Sequence, residues 1–328
     1  MALCNLHISN QFEPSIFLTL PKTRTYTHLV TTRASLAALL LVAAALLSPT
    51  MSHAQAIPRA MYVSALDDAG APVADLGPSD FLVREDKAPR EVLRVGAADE
   101  PMQLAILVDN SQAARNYIAD IRTGLEGFVT EMTNGAKNEL SITALAERPT
   151  ALSPPSTDRD QIMKGVFRIF EQRQSGSYLL DALIEVSKGY AKREAQRPVI
   201  VVITTEGPEF SSRRYEDVLK PLHEVGAALH VLVLGPPSNG IDEDARNRAA
   251  VLDQGPRTTG GRRESLLASS ALPAALKKLA TELKRQYRVT YARPQTLIPP
   301  ESVTVSAARP GITARGTLIQ EKREPRRQ

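Results

Sequence analysis

Three runs in the middle of the chain are apolar almost without interruption: MQLAILV at 102–108, PVIVVIT at 198–204 and ALHVLVLG at 228–235. Such runs predict strands covered on both faces, because a strand with one wet face alternates. Between them the period changes. Ile118, Ile121, Leu125, Phe128 and Met132 recur at three- and four-residue spacing, which predicts a helix with one buried stripe. Ile162, Val166 and Ile169 mark a second helix, and Leu180, Leu183, Ile184 and Tyr190 a third. Residues 242–252 and 271–285 read as two more, while LSITAL at 140–145 and QYRVTYA at 286–292 read as strands. Parallel strands need crossover connections, usually helical, so this alternation predicts an α/β fold built on a doubly wound, mostly parallel sheet.

The flanks have a different rhythm. AMYVSAL at 60–66 alternates, DDAGAPV at 67–73 has turn chemistry, and DFLVRED with REVLRV predicts a hairpin turning over residues 86–89. Near the other end, ESVTVSA at 301–307 and GITARGTLI at 311–319 alternate again. The expected organisation is a leader over 1–56, an N-terminal β segment over 57–99, an α/β domain over 100–292, and a C-terminal β segment with a basic tail over 293–328. The two β segments are expected to pair into a small flanking unit.

Residues 35–47, SLAALLLVAAALL, follow Arg33 and precede SHAQA, where Ala54 and Ala56 form an A-x-A cleavage pattern. A positive flank, a short apolar core and small residues at the cleavage point make a secretory signal. The core is too short for a comfortable membrane span, although an uncleaved anchor is the alternative. The region before Arg33 is long for a signal, so the true start is expected nearer Val30. The mature chain is thus expected to be secreted or periplasmic in a bacterium, beginning near Ala56, with no stable membrane insertion. Cys4, the only cysteine, precedes that point, which removes disulfides, thiol nucleophiles and cysteine-bound metals from consideration.

Charge and motifs exclude several functions. The formal charge of +4 owes part of its excess to Lys22, Arg24 and Arg33 in the leader, and bases and acids are interspersed elsewhere. No basic stripe alternates with aromatics, so a nucleic-acid partner is not expected. Only His223 and His230 follow the leader, and they have no metal-ligand spacing. There is no G-x-S-x-G elbow, no phosphate-loop lysine after LGPPSNG at 234–240, and TTGGRR at 258–263 reads as a connection. The chain is not expected to be an enzyme.

Ligands of open parallel sheets bind beyond the carboxyl ends of the strands. That directs attention to 109–113, 204–209 and 235–240, and to SGSYLLDAL at 175–183. The ordered set LAILVDNSQA, SGSYLLDAL and VVITTEGPEFSS resembles the von Willebrand factor A (VWA) family, in particular exported bacterial members in which the domain follows a short β segment. The resemblance implies a VWA-like, Rossmann-like doubly wound sheet and a metal-ion-dependent adhesion site. That site is the pattern Asp-x-Ser-x-Ser, a threonine before a helix, and an aspartate after a later strand. It holds Mg²⁺ or Mn²⁺ and leaves one position for an acidic side chain of a protein partner.

Carried onto this chain, Asp109 and Ser111 match the pattern. Ala113 replaces the second serine, Ser177 the threonine and Glu206 the aspartate, with Thr205 beside it suited to support the loop. A hard divalent cation takes oxygen ligands and Mg²⁺ retains waters, so Asp109, Ser111, Ser177 and Glu206 form the candidate metal set, degenerate at Ala113. The alternative is that Asp109, Ser111 and Ser177 cap helices, with Asp181 favoured by the helix dipole and Glu206 an exposed loop carboxylate. Three functions follow: an exported interaction domain with a weakened Mg²⁺ or Mn²⁺ site, a metal-free adaptor in an envelope assembly, and a hydrolase with an unrecognised site.

Overall fold

The computed structural model describes residues 56–237, 240, 242–295, 298 and 300–320. The expected leader up to Gln55, Cys4 within it and the basic tail at 321–328 lie outside these residues. The chain opens with β1 (Ala56–Asp67), β2 (Phe81–Glu85), β3 (Ala88–Arg90) and β4 (Val92–Ala97). The α/β region follows: β5 (Gln103–Val108), α1 (Ile118–Thr133), β6 (Glu139–Ala144), β7 (Thr150–Ser156), α2 (Arg159–Phe167) and α3 (Leu179–Arg193). It continues with β8 (Pro198–Thr205), α4 (Tyr215–Val225), β9 (Ala228–Leu234), α5 (Glu243–Thr259), β10 (Arg263–Leu266) and α6 (Leu272–Lys284). Last come β11 (Tyr287–Pro294), β12 (Val303–Ala307) and β13 (Ile312–Leu318).

The central sheet has the order β10-β9-β8-β5-β6-β7 and is parallel except for β7 at one edge. The apolar runs explain its middle, where every position of β8 and β9 is buried. Side chains of a strand point to opposite faces in turn. Leu104, Ile106 and Val108 therefore pack with Ile121, Phe128 and Leu276 of α1 and α6, while Ala105 and Leu107 pack with Leu180, Val218 and Val251 of α3, α4 and α5. The observed α/β class and mostly parallel sheet agree with the alternation read from the sequence. The antiparallel edge strand β7 carries Pro154 and Pro155, which have no N–H to offer a further strand.

The N- and C-terminal β segments pair with each other, as their alternation implied. β1 lies between β11 and β13, with β4 beyond β11, and β2 lies between β12 and β3. Met61, Val63, Phe81, Val83, Val289 and Tyr291 form the core between the two small sheets. Two details depart from expectation. The hairpin forms between β2 and β3 across Asp86 and Lys87, but its second arm divides, and Val92–Ala97 crosses to the other sheet to pair with β11. Tyr287–Pro294, expected at the end of the α/β region, pairs antiparallel with β1 instead of extending the parallel sheet. Two strands, β7 and β10, have no apolar run and were not anticipated.

Arg197, buried just before β8, fastens this β unit to the amino end of the parallel sheet. Its guanidinium donates to the carbonyls of Ala98 (2.9 Å), Glu100 (2.9 Å) and Leu283 (2.9 Å) and to Gln286 Oε1 (2.8 Å), and stacks 4.8 Å from the Tyr62 ring. Nearby, His230 of β9 is sealed in with no hydrogen bond at either ring nitrogen. The charges that face it are Glu282 of α6 and the Arg262 and Arg315 guanidiniums, of which Arg315 holds Glu282 at 2.7 Å and Arg262 at 3.7 Å.

Burial pushes His230 down to about 4, Glu282 opposes that shift, and the two arginines add to it. A group whose folded pKa is depressed contributes stability that is complete above its unfolded value and is lost as pH falls through the folded value. We expect His230 to cost the fold about 3 kcal/mol between roughly pH 6.5 and pH 4. Urea unfolding of the wild type and of His230→Leu across that range measures it, and parallel stability profiles for the two would refute the assignment.

Candidate functional site

Three loops meet beyond the carboxyl ends of β5 and β8. The buried core carries β5 directly into Asp109, which is fully enclosed. Its Oδ1 accepts the Ser111 N–H at 2.9 Å, tightening the turn, and its Oδ2 accepts the Thr205 hydroxyl at 2.6 Å and the Thr205 N–H at 3.2 Å. Asp109 thus clamps the end of β5 to the end of β8, and Thr205 supports the loop as its position suggested. Asn110, which the sequence did not single out, extends the clamp. Its side chain accepts Ala146 N–H at 2.9 Å and donates to the Phe170 carbonyl at 2.9 Å, and its own carbonyl accepts Gln172 N–H at 2.8 Å.

Ser111 and Ser177 are both buried, and neither hydroxyl has a hydrogen-bond partner. The helix-cap reading fails for both. Ser111 stands at the N-cap position of a short 3-10 turn, Gln112–Tyr117, but its side chain makes no cap bond. The N-cap of α3 is Tyr178, not Ser177. The free N–H groups of α3 are met from another loop: Leu180 N–H donates to Glu209 Oε1 (3.4 Å) and Asp181 N–H to Ser211 Oγ (3.1 Å). Asp181, in the first turn as expected, pairs with Arg213 at 2.6 Å. Ser177 itself is held by its backbone, its N–H donating to the Pro208 carbonyl and its carbonyl accepting Phe210 N–H, both at 2.8 Å.

Gly207 shows how tightly the loops converge. A Cβ placed there would lie 2.5 Å from the Ala113 methyl, 3.3 Å from Thr205 Oγ1 and 3.9 Å from Ser111 Oγ. Ala113 therefore stands beside the Asp109–Thr205 clamp, yet it brings a methyl where the resemblance implies an oxygen.

Glu206 is not a free loop carboxylate. Its two oxygens face Arg248 of α5 and Arg263 of β10, each at 3.5 Å. Arg248, which the sequence reading missed, is buried behind the loop. It donates to Thr204 Oγ1 (3.1 Å) and to the Thr205 carbonyl, and its Nε lies 3.7 Å from Glu209 Oε2. Burial raises the Glu209 carboxyl to about 7 against the pull of the Ser211 hydrogen bond and Arg248. No sequence spacing announces Arg248, because α5 and the β8 loop meet only through the fold.

Asp109 and the two unpartnered hydroxyls are oxygen donors of the type that a hard cation keeping several waters takes, although both Asp109 oxygens already accept hydrogen bonds. Glu206, neutralised by two guanidiniums, does not fit as it stands. Among the described residues no group of three or more His, Cys, Asp or Glu side chains is arranged to hold a metal ion.

Residues 104–208 match the family model for the von Willebrand factor type A domain. The matched span runs from β5 into the β8 loop and supports a domain of this type in the α/β region. Similar solved structures include the conserved hypothetical protein BatB from Bacteroides thetaiotaomicron, 16% identical over 56% of this chain and 100% of that one, with a TM-score of 0.43. The manganese-loaded TRAP protein of Plasmodium vivax is 17% identical over 65% of this chain and 94% of its own, with a TM-score of 0.41. A von Willebrand factor type A protein from Catenulispora acidiphila is 11% identical over 83% of this chain and 74% of its own, with a TM-score of 0.44. No curated protein matches.

Removing one partner of a buried ion pair leaves an uncompensated charge, a larger effect than the net worth of the pair. Arg248→Met is therefore expected to destabilise the chain by about 3 kcal/mol. The loss should be greater above pH 7 than below it, because Glu209 sheds its buried charge by taking up a proton. Denaturant unfolding at the two pH values checks this, and an unchanged midpoint would contradict it.

Proposed function

We propose that this chain is an exported, non-catalytic VWA-type interaction domain. It binds a protein partner with the loops beyond β5 and β8, through a weakened Mg²⁺ or Mn²⁺ site at Asp109, Ser111 and Ser177, with Glu206 at its margin. The observation that carries the reading is the pair of buried, unpartnered hydroxyls, Ser111 next to Asp109 and Ser177 on the adjoining loop, since buried polar atoms are left without partners only rarely. A bound cation would answer both and present an open position to a partner's carboxylate. Export is supported by the leader pattern ending at Ala56, where β1 begins. No helix among the described residues is long and apolar enough to cross a membrane.

A non-catalytic role accords with the histidines. His230 is sealed in the core, and His223 Nε2 lies 2.9 Å from Thr258 Oγ1, near the C-terminal ends of α4 and α5 and away from the candidate site. Calorimetric titration with Mn²⁺ and with Mg²⁺ tests the metal directly. Weak binding is expected for the wild type, loss of heat for Asp109→Ala, and tighter binding for Ala113→Ser. Heat that persists in Asp109→Ala would place any ion elsewhere.

The two guanidiniums on Glu206 favour a second reading, a metal-free adaptor in an envelope assembly. In that case the wild type is silent in the same titration, and Ala113→Ser combined with Glu206→Asp creates binding that the native chain lacks.

A further inference from the structure

The loops around the candidate site carry two large aromatic side chains that are fixed in place but not covered. Phe210 is 49% exposed, although its ring lies so close to Gly176 that a Cβ there would come within 2.9 Å of three ring carbons. Tyr178 packs edge-on against it, with ring centroids 6.1 Å apart. Phe170 is 61% exposed and lies under the Arg122 guanidinium at 4.4 Å, while Arg122 is itself anchored on the Ile169 carbonyl. Neither ring is a loose surface residue. Both are held by their neighbours while about half or more of each side chain stays open to water, an arrangement that costs hydration without giving burial in return. Exposed, pre-positioned aromatics of this kind mark interaction surfaces more than isolated exposed leucines do.

The charges of the same loops are unbalanced. Within 109–117, 167–178 and 206–214 every carboxylate is already answered. Asp109 is bound by Thr205 and Ser111, Glu171 lies 3.6 Å from Arg115, and Glu206 and Glu209 face Arg248. Arg168, Arg173 and Arg214 are exposed, and among the described residues no carboxylate pairs with them. The three loops form one surface. Gln174 N–H bonds Gln112 Oε1 at 3.0 Å, Asn110 reaches the 170–172 segment, and Ser177 bridges to 208–210.

We propose that this surface is the docking site for an acidic peptide segment of a partner protein. Phe170 and Phe210 grip apolar side chains of the segment, and Arg168, Arg173 and Arg214 pair with its carboxylates. Charge complementarity selects this occupant: arginines and aromatics supply charge-assisted hydrogen bonds and contact area together. The proposal rests on the reading of these loops as the interaction face, but it does not require the metal.

Random peptides displayed on phage and selected on the full chain test it. The selected peptides should be rich in Asp and Glu interleaved with aromatic or branched apolar residues. A synthetic copy, followed by fluorescence anisotropy, should bind about tenfold more weakly or worse to Phe170→Ala and to Phe210→Ala. Arg173→Glu with Arg214→Glu, which removes no contact within the fold, should weaken binding similarly and flatten its salt dependence. Selected peptides without acidic bias, or binding untouched by these variants, overturn the proposal. Binding that is lost with EDTA or in Asp109→Ala but retained in the aromatic and arginine variants overturns it while leaving the metal reading standing. Binding that survives Asp109→Ala and fails in the aromatic variants supports the peptide surface and removes the metal from the account.

Discussion

A buried charge must be met by an opposite charge or a full set of hydrogen bonds, and that constraint organises both ends of the parallel sheet. At the amino end Arg197 gathers three carbonyls and a glutamine side chain and so fixes the β unit against α6 and the start of β8. At the carboxyl end Arg248 gathers Thr204, the Thr205 carbonyl, Glu206 and Glu209. The apolar strands between them are covered on both faces and specify the sheet by burial alone. The two guanidiniums specify what is attached to its ends.

The consequence at the candidate site is a chain of contacts running from solvent-facing loop to buried cation. Asp109 bonds Thr205, Thr205 bonds Arg248, and Arg248 faces two glutamates. This chain holds the β5 and β8 loops in register using the protein's own groups. Asn110 and Ser177 then tie the 167–178 segment to both. The loop surface is therefore rigid in its parts: the aromatics it displays sit on Gly176, Tyr178 and Arg122 and do not depend on a ligand for their positions.

How much of this was legible in the sequence depends on whether the signal is local. Burial on both faces leaves an unbroken apolar run, so β5, β8 and β9 stand out, and the helical stripes of α1 and α3 are equally plain. β7 and β10 are edge strands whose residues are partly wet, and their pairing comes from neighbours already in place. The division of the hairpin arm between β3 and β4 is likewise a property of two sheets packing, invisible in an alternating pattern. At the site, the position of Asp109 at the end of a buried strand was readable. The caps of α3 were not, because Glu209 and Ser211 supply them from a loop about thirty residues downstream. Nor was Arg248, whose role exists only once α5 lies across the end of β8.

Ligand charge sets how strongly a loop site holds a divalent ion. Here the carboxylate at 206 is compensated by two arginines, one of which, Arg248, also bonds the Thr205 carbonyl behind Asp109, so the local field is far less negative than a site with two free carboxylates would provide. The methyl of Ala113, where the resemblance implies an oxygen, and the arginine-paired Glu206 are both compatible with that setting. Thr205 and Arg248 fix the loops with the protein's own groups, so the loop conformation does not need an ion to define it. What the arrangement preserves is the orientation of the surface. Its orphan hydroxyls, its fixed aromatics and the arginines that no carboxylate among the described residues pairs with all lie on the loops beyond the carboxyl ends of the strands, and the protein's own charges hold those loops in place.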